Sequence, residues 1–123
     1  MFKKFIDVIT VFVLIISITV LTCSCSLLSK PLGKRTGFSE HLNRLEENIR
    51  SEKWDKAKTS LEDSKKAWKK LKPIIQIDVD HDYVNDIEKY LVMLGGYIDT
   101  KEKPDSLSTI LLIKDTWQNI GTL

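Results

Sequence analysis

Cysteine and histidine are scarce in this chain, and their scarcity excludes several kinds of chemistry. The two cysteines, Cys23 and Cys25, both lie in an apolar N-terminal stretch, so the rest of the chain offers no disulfide framework and no thiolate metal site. His41 and His81 are its two histidines. We therefore predict a non-enzyme that binds no cofactor. A hydrolase that uses His81 with a neighbouring aspartate is a remote alternative, because no serine stands in a recognisable catalytic setting.

A strong excess of positive charge is also absent. The formal net charge is +2, which gives no indication of a nucleic-acid-binding protein. Trp54 and Trp68 follow the spacing of a buried helix face and are therefore not expected to stack on bases. We predict no nucleic-acid partner.

The N-terminus has the layout of a secretion signal. Lys3 and Lys4 precede an uncharged stretch, Val8–Leu28, which is about as long as a bilayer core requires. Two interpretations of residues 1–28 lead, and simple secretion after cleavage is a distant third. In the first, a signal peptide is cleaved and Cys23 or Cys25 becomes a lipidated N-terminus. In the second, the segment is retained as a transmembrane signal anchor.

Both interpretations predict the same location. Residues 30–123 are held at the cell membrane, and the C-terminal domain faces outside the cytoplasm. The membrane is then the first expected partner, through the N-terminus.

The remaining chain shows helical periodicity throughout. Residues 29–37 form a polar linker with proline and glycine, and residues 38–123 a helical domain. Apolar residues recur every three or four positions in four segments. The first two segments carry Phe38, Leu42, Leu45 and Ile49, then Trp54, Ala57, Leu61, Ser64, Trp68 and Leu71. The last two carry Val84, Ile87, Leu91, Leu94 and Ile98, then Leu107, Ile110, Leu111, Ile113, Trp117 and Ile120.

We therefore predict an all-α fold, in which two helical hairpins pack as a small four-helix bundle. Ser39 and Ser51 are the expected N-caps of the first two helices, and Pro73 is expected to end the second. No repeat signature is detected.

Aspartates at alternate positions, Asp78, Asp80 and Asp82, invite comparison with a calcium-binding loop. Such a loop needs glycine at its sixth position and glutamate at its twelfth. Here those positions hold Tyr83 and Lys89. The cluster is better explained as the start of the third helix, capped by Asp80 or Asp82. A divalent-ion-sensing or pH-sensing module, the latter through His81, remains the alternative.

Two segments carry a family resemblance. EKWDKAKTSLEDSKKAWKKLKP and DHDYVNDIEKYLVMLGGYIDTKEK resemble the domain-of-unknown-function family 4363, a family of small bacterial membrane-anchored proteins. The matching features are Trp54, Ala57, Trp68, His81 and the turn Lys101–Lys103. The chain departs from the pattern in its two adjacent glycines, at positions 95 and 96, and in its cysteine pair, which favours lipidation. The resemblance implies a helical fold and a membrane location, and no activity.

Charge is unevenly distributed along the chain. Residues 44–72 hold ten bases and six acids, a difference of +4, whereas residues 73–123 hold four bases and nine acids, a difference of −5. Four lysines of the second helix form what we call the lysine edge: Lys58, Lys65, Lys69 and Lys72. This edge is a candidate surface for anionic lipid, a cell-wall polymer or an acidic partner. The alternative is that the acidic half of the domain covers it.

Leu112 lies outside the apolar face of the fourth helix. Its position makes it a candidate contact with a membrane-protein partner or with a second copy in a homo-oligomer. The sequence therefore predicts a tethered interaction or accessory module, whose surfaces are the lysine edge and the fourth helix.

Overall fold

The computed structural model describes residues 1–13, 15 and 37–120. These residues form five helices and no strand, so the all-α prediction is confirmed. Backbone contacts divide the chain into two compact units, Met1–Lys30 and Pro31–Leu123.

The described part of the first unit is helical. Helix α1 covers residues 2–13, and within it the Thr10 hydroxyl donates a 2.7 Å hydrogen bond to the carbonyl oxygen of Ile6. Among the described residues, no helix combines the length and the apolar character needed to cross a bilayer. Most of the predicted anchor, residues 8–28, lies outside the described residues. Cys23, Cys25 and residues 29–36 of the linker lie outside them too, so those assignments stay predictions.

The described residues of the second unit, 37–120, form four helices in two hairpins. Helices α2 (Phe38–Arg50) and α3 (Trp54–Ile75) form the N-terminal hairpin, and α4 (His81–Asp99) and α5 (Lys103–Ile120) form the C-terminal hairpin. Across the hairpins, α2 packs on α5 and α3 packs on α4. Each helix therefore contacts two others, and the four share one apolar core.

The predicted apolar faces of α2 and α4 are confirmed in full. Every residue of both stripes is buried. In α3 the predicted positions are buried as well, except for Trp54, which is half-buried against the core. The three- and four-residue spacing alone located these faces.

Helix α5 differs from the prediction. Leu111, assigned to the buried face, is 46% exposed, and the face instead includes Ser106 and Thr109. Thr109 tolerates burial because its hydroxyl donates to the Asp105 carbonyl oxygen at 2.8 Å, inside its own helix. The apolar pattern alone therefore predicted a buried face that is displaced towards Leu111 and away from Ser106 and Thr109. Leu112 lies outside the buried face, as predicted.

The helix ends also depart from expectation. Ser51 ends α2 as its C-cap, and Ser39 lies inside α2, so neither serine is an N-cap. Pro73 does not stop α3, which continues to Ile75. Proline in the last turn removes one backbone hydrogen bond, and that loss near a helix end is tolerated.

An internal repeat, not detected in the sequence, relates the two hairpins. Buried positions of the N-terminal hairpin have counterparts 49 residues later, as Phe38 has in Ile87 and Trp68 in Trp117. The same offset links Leu42, Leu45, Ile49, Leu61 and Leu71 to Leu91, Leu94, Ile98, Ile110 and Ile120.

The hairpin turns repeat at the same offset. Glu52 and Lys101 both adopt positive φ, 55° and 57°. One residue later, the N–H groups of Lys53 and Glu102 each donate a 2.9 Å bond, to the carbonyl oxygens of residues 48 and 97. Both turns thus close the preceding helix with the same six-residue backbone bond.

Tryptophan hydrogen bonds between the hairpins obey the repeat too. Trp117 Nε1–H donates to Ser39 Oγ at 2.8 Å, and Trp68 Nε1–H donates to Glu88 Oε1 at 3.4 Å. Positions 39 and 88 are themselves 49 residues apart. The two indole rings meet edge-on at 6.4 Å between centroids, and Phe38 packs against both. A pseudo-two-fold relation therefore connects the hairpins.

Candidate interaction surfaces

The aspartate cluster forms the start of α4. Asp80 is the N-cap, and its Oδ1 accepts the N–H of Asp82 at 3.3 Å, which confirms the helix-start interpretation. His81 is the first helical residue and is exposed. Within the described residues, no group of three or more histidine, cysteine, aspartate or glutamate side chains is placed to hold a metal ion.

The lysine edge lies beside α4 and is partly neutralised by it. Lys58 Nζ is 3.1 Å from Asp99 Oδ1, and Lys72 Nζ is 2.7 Å from Glu88 Oε1. Lys65 pairs within α3 with Glu62 at 3.0 Å. Lys69 is exposed. Acidic residues of the C-terminal hairpin thus pair with both ends of the edge, as the alternative interpretation anticipated, and Lys69 in its middle remains exposed.

The C-terminal hairpin exposes four apolar side chains on the middle of its two helices. We call this set the outer patch: Val92, Met93, Leu111 and Leu112. Their exposed fractions run from 39% for Met93 to 72% for Val92. Leu112, singled out by the sequence, belongs to this patch with 48% of its surface exposed.

The internal repeat supplies a reference for this patch. The counterparts of its members in the N-terminal hairpin are Asn43, Arg44, Glu62 and Asp63. All four counterparts are polar or charged, and Arg44 and Glu62 form ion pairs within their helices. Equivalent positions of one framework are therefore hydrophilic in one hairpin and apolar in the other. The fold does not require apolar side chains there.

A polar cluster joins α2 to α5. Lys114 Nζ lies 2.6 Å from Glu46 Oε2, and Arg50 Nη2 lies 2.7 Å from Glu46 Oε1. The hydrogen bond from Lys114 is the largest influence and lowers the pKa of the Glu46 carboxyl below its ordinary value; Arg50 adds to the effect, and burial opposes it. The cluster thus links one helix of each hairpin.

A cavity of about 370 Å³ lies where the two hairpin turns come together. Its lining consists of Glu52, Lys53, Trp54, Asp55, Lys56 and Lys101. The lining mixes three lysines with two carboxylates, and none of these side chains is buried. The cavity therefore shows no preference for a ligand of either charge.

Comparison with known families assigns residues 34–123, most of the chain, to a family model described as a domain of unknown function, DUF4363. The chain belongs to the DUF4363 family. The match confirms the resemblance seen in the sequence, and it covers all four helices of the second unit but not the first 33 residues. No curated protein and no solved structure matches the chain.

The structure adds Val92, Met93 and Leu111 to the single surface residue predicted on the DUF4363 domain's C-terminal hairpin. The sequence did not predict Val92 and Met93 as surface residues, because they lie between the buried positions Leu91 and Leu94 of α4. The 49-residue offset was the signal that would have found them, since it sets each beside a hydrophilic counterpart.

Proposed function

We propose that this DUF4363 domain is a non-catalytic interaction module that binds a partner protein through the outer patch. The exposed apolar side chains at positions where the equivalent hairpin is hydrophilic carry this proposal. Exposed apolar groups cost solubility and contribute nothing to the core, so a binding role accounts for them. The four helices would act as one bundle that presents the patch on a rigid surface.

The N-terminal sequence supports a membrane tether. Lys3 and Lys4 followed by the uncharged stretch Val8–Leu28 favour insertion, and Cys23 and Cys25 offer lipidation sites. We propose that the domain is held at the cell membrane, outside the cytoplasm, as an accessory subunit of a membrane assembly. The lysine edge takes second place as a binding surface, because Lys58 and Lys72 already meet carboxylates of α4.

Affinity purification tests the binding role. The full chain, tagged at its C-terminus, is extracted from membranes with mild detergent, and the proteins that co-purify are identified and quantified. A stoichiometric membrane protein is expected with the native chain. The double variant Met93→Arg, Leu112→Asp should lose it, because it carries the residue types found at Arg44 and Asp63.

The matched control alters the hydrophilic counterparts instead. The double variant Arg44→Gln, Asp63→Asn leaves the net charge unchanged, as the patch variant does, and should retain the partner. Equal recovery of the partner by both variants would remove the outer patch from the proposal.

Membrane attachment is tested separately. The native chain should remain in the membrane fraction after salt washing and should be digested by protease added to intact cells from which the wall has been removed. Incorporation of labelled fatty acid that disappears in the variant Cys23→Ser, Cys25→Ser would identify lipidation rather than a retained anchor. Recovery in the soluble cytoplasmic fraction would overturn the tether.

A further inference from the structure

Met93 of the outer patch adjoins a line of tyrosines on α4. Tyr83, Tyr90 and Tyr97, all the tyrosines of the chain, are spaced seven residues apart, and Met93 lies between the last two. A seven-residue spacing places side chains on the same face of a helix. The three tyrosines are half-buried, so each offers part of its ring to solvent. Tyrosine and methionine are enriched in the centres of protein interfaces.

Helix α5 extends this surface beside α4. Leu112 is exposed, and Thr116 lies one turn further on. Glu88 of α4 contacts α3 and Lys114 of α5 contacts α2, so the tyrosines and Leu112 lie on the flanks where α4 and α5 adjoin each other. We call the surface formed by Tyr83, Tyr90, Met93, Tyr97 and Leu112 the outer strip. A strip along two helices has the shape that receives a third helix.

The charges around the strip are mostly negative. Asp86 lies between Tyr83 and Tyr90 on the tyrosine face, and Asp115 lies one turn from Leu112. Asp105 lies seven residues before Leu112, on the same face of α5.

The bases of the same hairpin are largely engaged elsewhere. Lys103 lies 3.9 Å from Glu52 and Lys114 lies 2.6 Å from Glu46, both in the N-terminal hairpin. Lys101 lies in the turn after α4, and Lys89 is the base that remains near Met93. Complementary charge therefore favours a basic partner at the strip.

Helix α4 already binds one helix of this chemistry. On its opposite flank it receives α3, whose lysines Lys58 and Lys72 meet Asp99 and Glu88 at 3.1 Å and 2.7 Å. The contact pairs an apolar stripe with flanking lysine–carboxylate bonds. The outer strip presents the same combination of apolar residues and carboxylates.

We propose that the outer strip of the C-terminal hairpin binds an amphipathic helix of a partner protein whose apolar stripe is flanked by lysines or arginines. This proposal rests on the proposed function and specifies the partner's chemistry. A second copy is disfavoured, because the same acidic strip would face itself. An anionic lipid surface is disfavoured for the same reason.

Site-specific photo-cross-linking tests the proposal. The full chain is reconstituted in nanodiscs of zwitterionic lipid, with a benzophenone amino acid at position 112 or, as the matched control, at the equivalent position 63. The probe is a synthetic helical peptide with leucines at every third and fourth position and lysines on either side. A second peptide has glutamate in place of each lysine.

Cross-linking of the lysine peptide from position 112 is expected to exceed that from position 63 about tenfold, and the glutamate peptide should lose about the same factor. Adding Met93→Arg to the chain labelled at position 112 should lower the yield about as much. Equal yields from positions 112 and 63 would overturn the proposal, as would equal yields with the two peptides. Products that contain two copies of the chain in place of peptide would also overturn it. The same holds for products that contain lipid in place of peptide when the experiment is repeated in discs of anionic lipid.

Failure of this inference differs from failure of the proposed function. Suppose that the glutamate peptide cross-links as well as the lysine peptide while the co-purifying partner still depends on Met93 and Leu112. The proposal of an interaction module is then retained, and the proposal that its partner is a basic helix is rejected. If the partner is recovered equally by both purification variants, the binding surface itself is wrong.

Discussion

Positions 44 and 63 of the N-terminal hairpin hold Arg44 and Asp63, whereas their counterparts in the C-terminal hairpin are Met93 and Leu112. Inside the domain, the same comparison finds identical residues at equivalent positions, as Leu42 corresponds to Leu91 and Trp68 to Trp117. Each hairpin buries one face against the other, so packing requires the same pattern of buried residues in both. Packing places no such requirement on the exposed surfaces of the hairpins, so the difference between those surfaces points to function.

Truncation of the two equivalent tryptophans, Trp68 and Trp117, is expected to give the largest difference in stability between the hairpins. Trp68→Ala is expected to lower the free energy of unfolding by about 4 kcal/mol, because it leaves a cavity beside Phe38. Trp117→Ala should cost only about 2 kcal/mol, because this ring is half-buried. Thermal unfolding of the full chain in one detergent, followed by circular dichroism, measures both. Equal losses would mean that exposure does not govern these sites.

The Glu46 cluster at the contact of α2 with α5 has no counterpart at the equivalent contact of α3 with α4, and pH tests it. Its carboxyl has a lowered pKa in the folded protein, so the stabilisation is complete above the ordinary carboxyl pKa and is lost as pH falls through the lowered one. Glu46→Gln should cost about 1.5 kcal/mol at neutral pH. Its deficit should shrink in acid. The exposed neighbour supplies the control, since Glu47→Gln should change stability by less than about 0.5 kcal/mol at either pH.

Gly95 occupies the position equivalent to Glu46, and Lys65 the position equivalent to Lys114. A Cβ added at Gly95 would lie 3.9 Å from Lys65 Nζ and meet Leu61 at an ordinary contact distance of 3.6 Å. Gly95→Glu should therefore install the missing pair and stabilise the protein by about 1 kcal/mol, helped by better helix propensity. Gly95→Gln separates the contributions, because it supplies the propensity without the charge. If Gln matches Glu, the pair contributes nothing.

Ser106 gives the smallest test of the comparison. Its Oγ is buried without a hydrogen-bond partner, and its counterpart is Ala57. Ser106→Ala should raise the unfolding free energy by about 0.5 kcal/mol, since it removes an unsatisfied hydroxyl and restores the residue of the other half. Urea titration of both proteins resolves the difference. A loss of stability would show that the hydroxyl has a partner in solution.

Periodicity predicted the helices well because it reports directly on burial. The stripes from Phe38 to Ile49 and from Val84 to Ile98 needed no information beyond spacing. The Asp80 cap was equally accessible, since a carboxylate before a helix binds its free N–H groups. The prediction that Leu111 is buried was wrong because the buried face of α5 includes Ser106 and Thr109. These side chains are short enough to be buried, but hydropathy ranks them as surface residues, so the apolar pattern missed them.

The helix turns and the internal repeat could not be predicted from apolar spacing alone. Ser51 satisfies the usual preference for an N-cap, yet the positive φ of Glu52 makes the serine a helix end. The repeat was not predicted because equivalent positions can hold different residue types, as Ser64 and Ile113 or Phe38 and Ile87 do, although all four of these side chains are buried. The outer patch could be recognised only after that register was known.

The hydrogen bond from Trp117 to Ser39 joins residues near opposite ends of the domain sequence. The two ends of the helical domain therefore lie side by side, and its hairpin turns lie away from them. Circular permutation becomes practicable: the chain can be opened between Ile75 and His81, and the end of α5 connected to the start of α2. A linker no longer than the segment between Leu71 and Ile87 should suffice, because the repeat makes the two junctions equivalent. Such a permutant would carry its new ends at the junction between the hairpins.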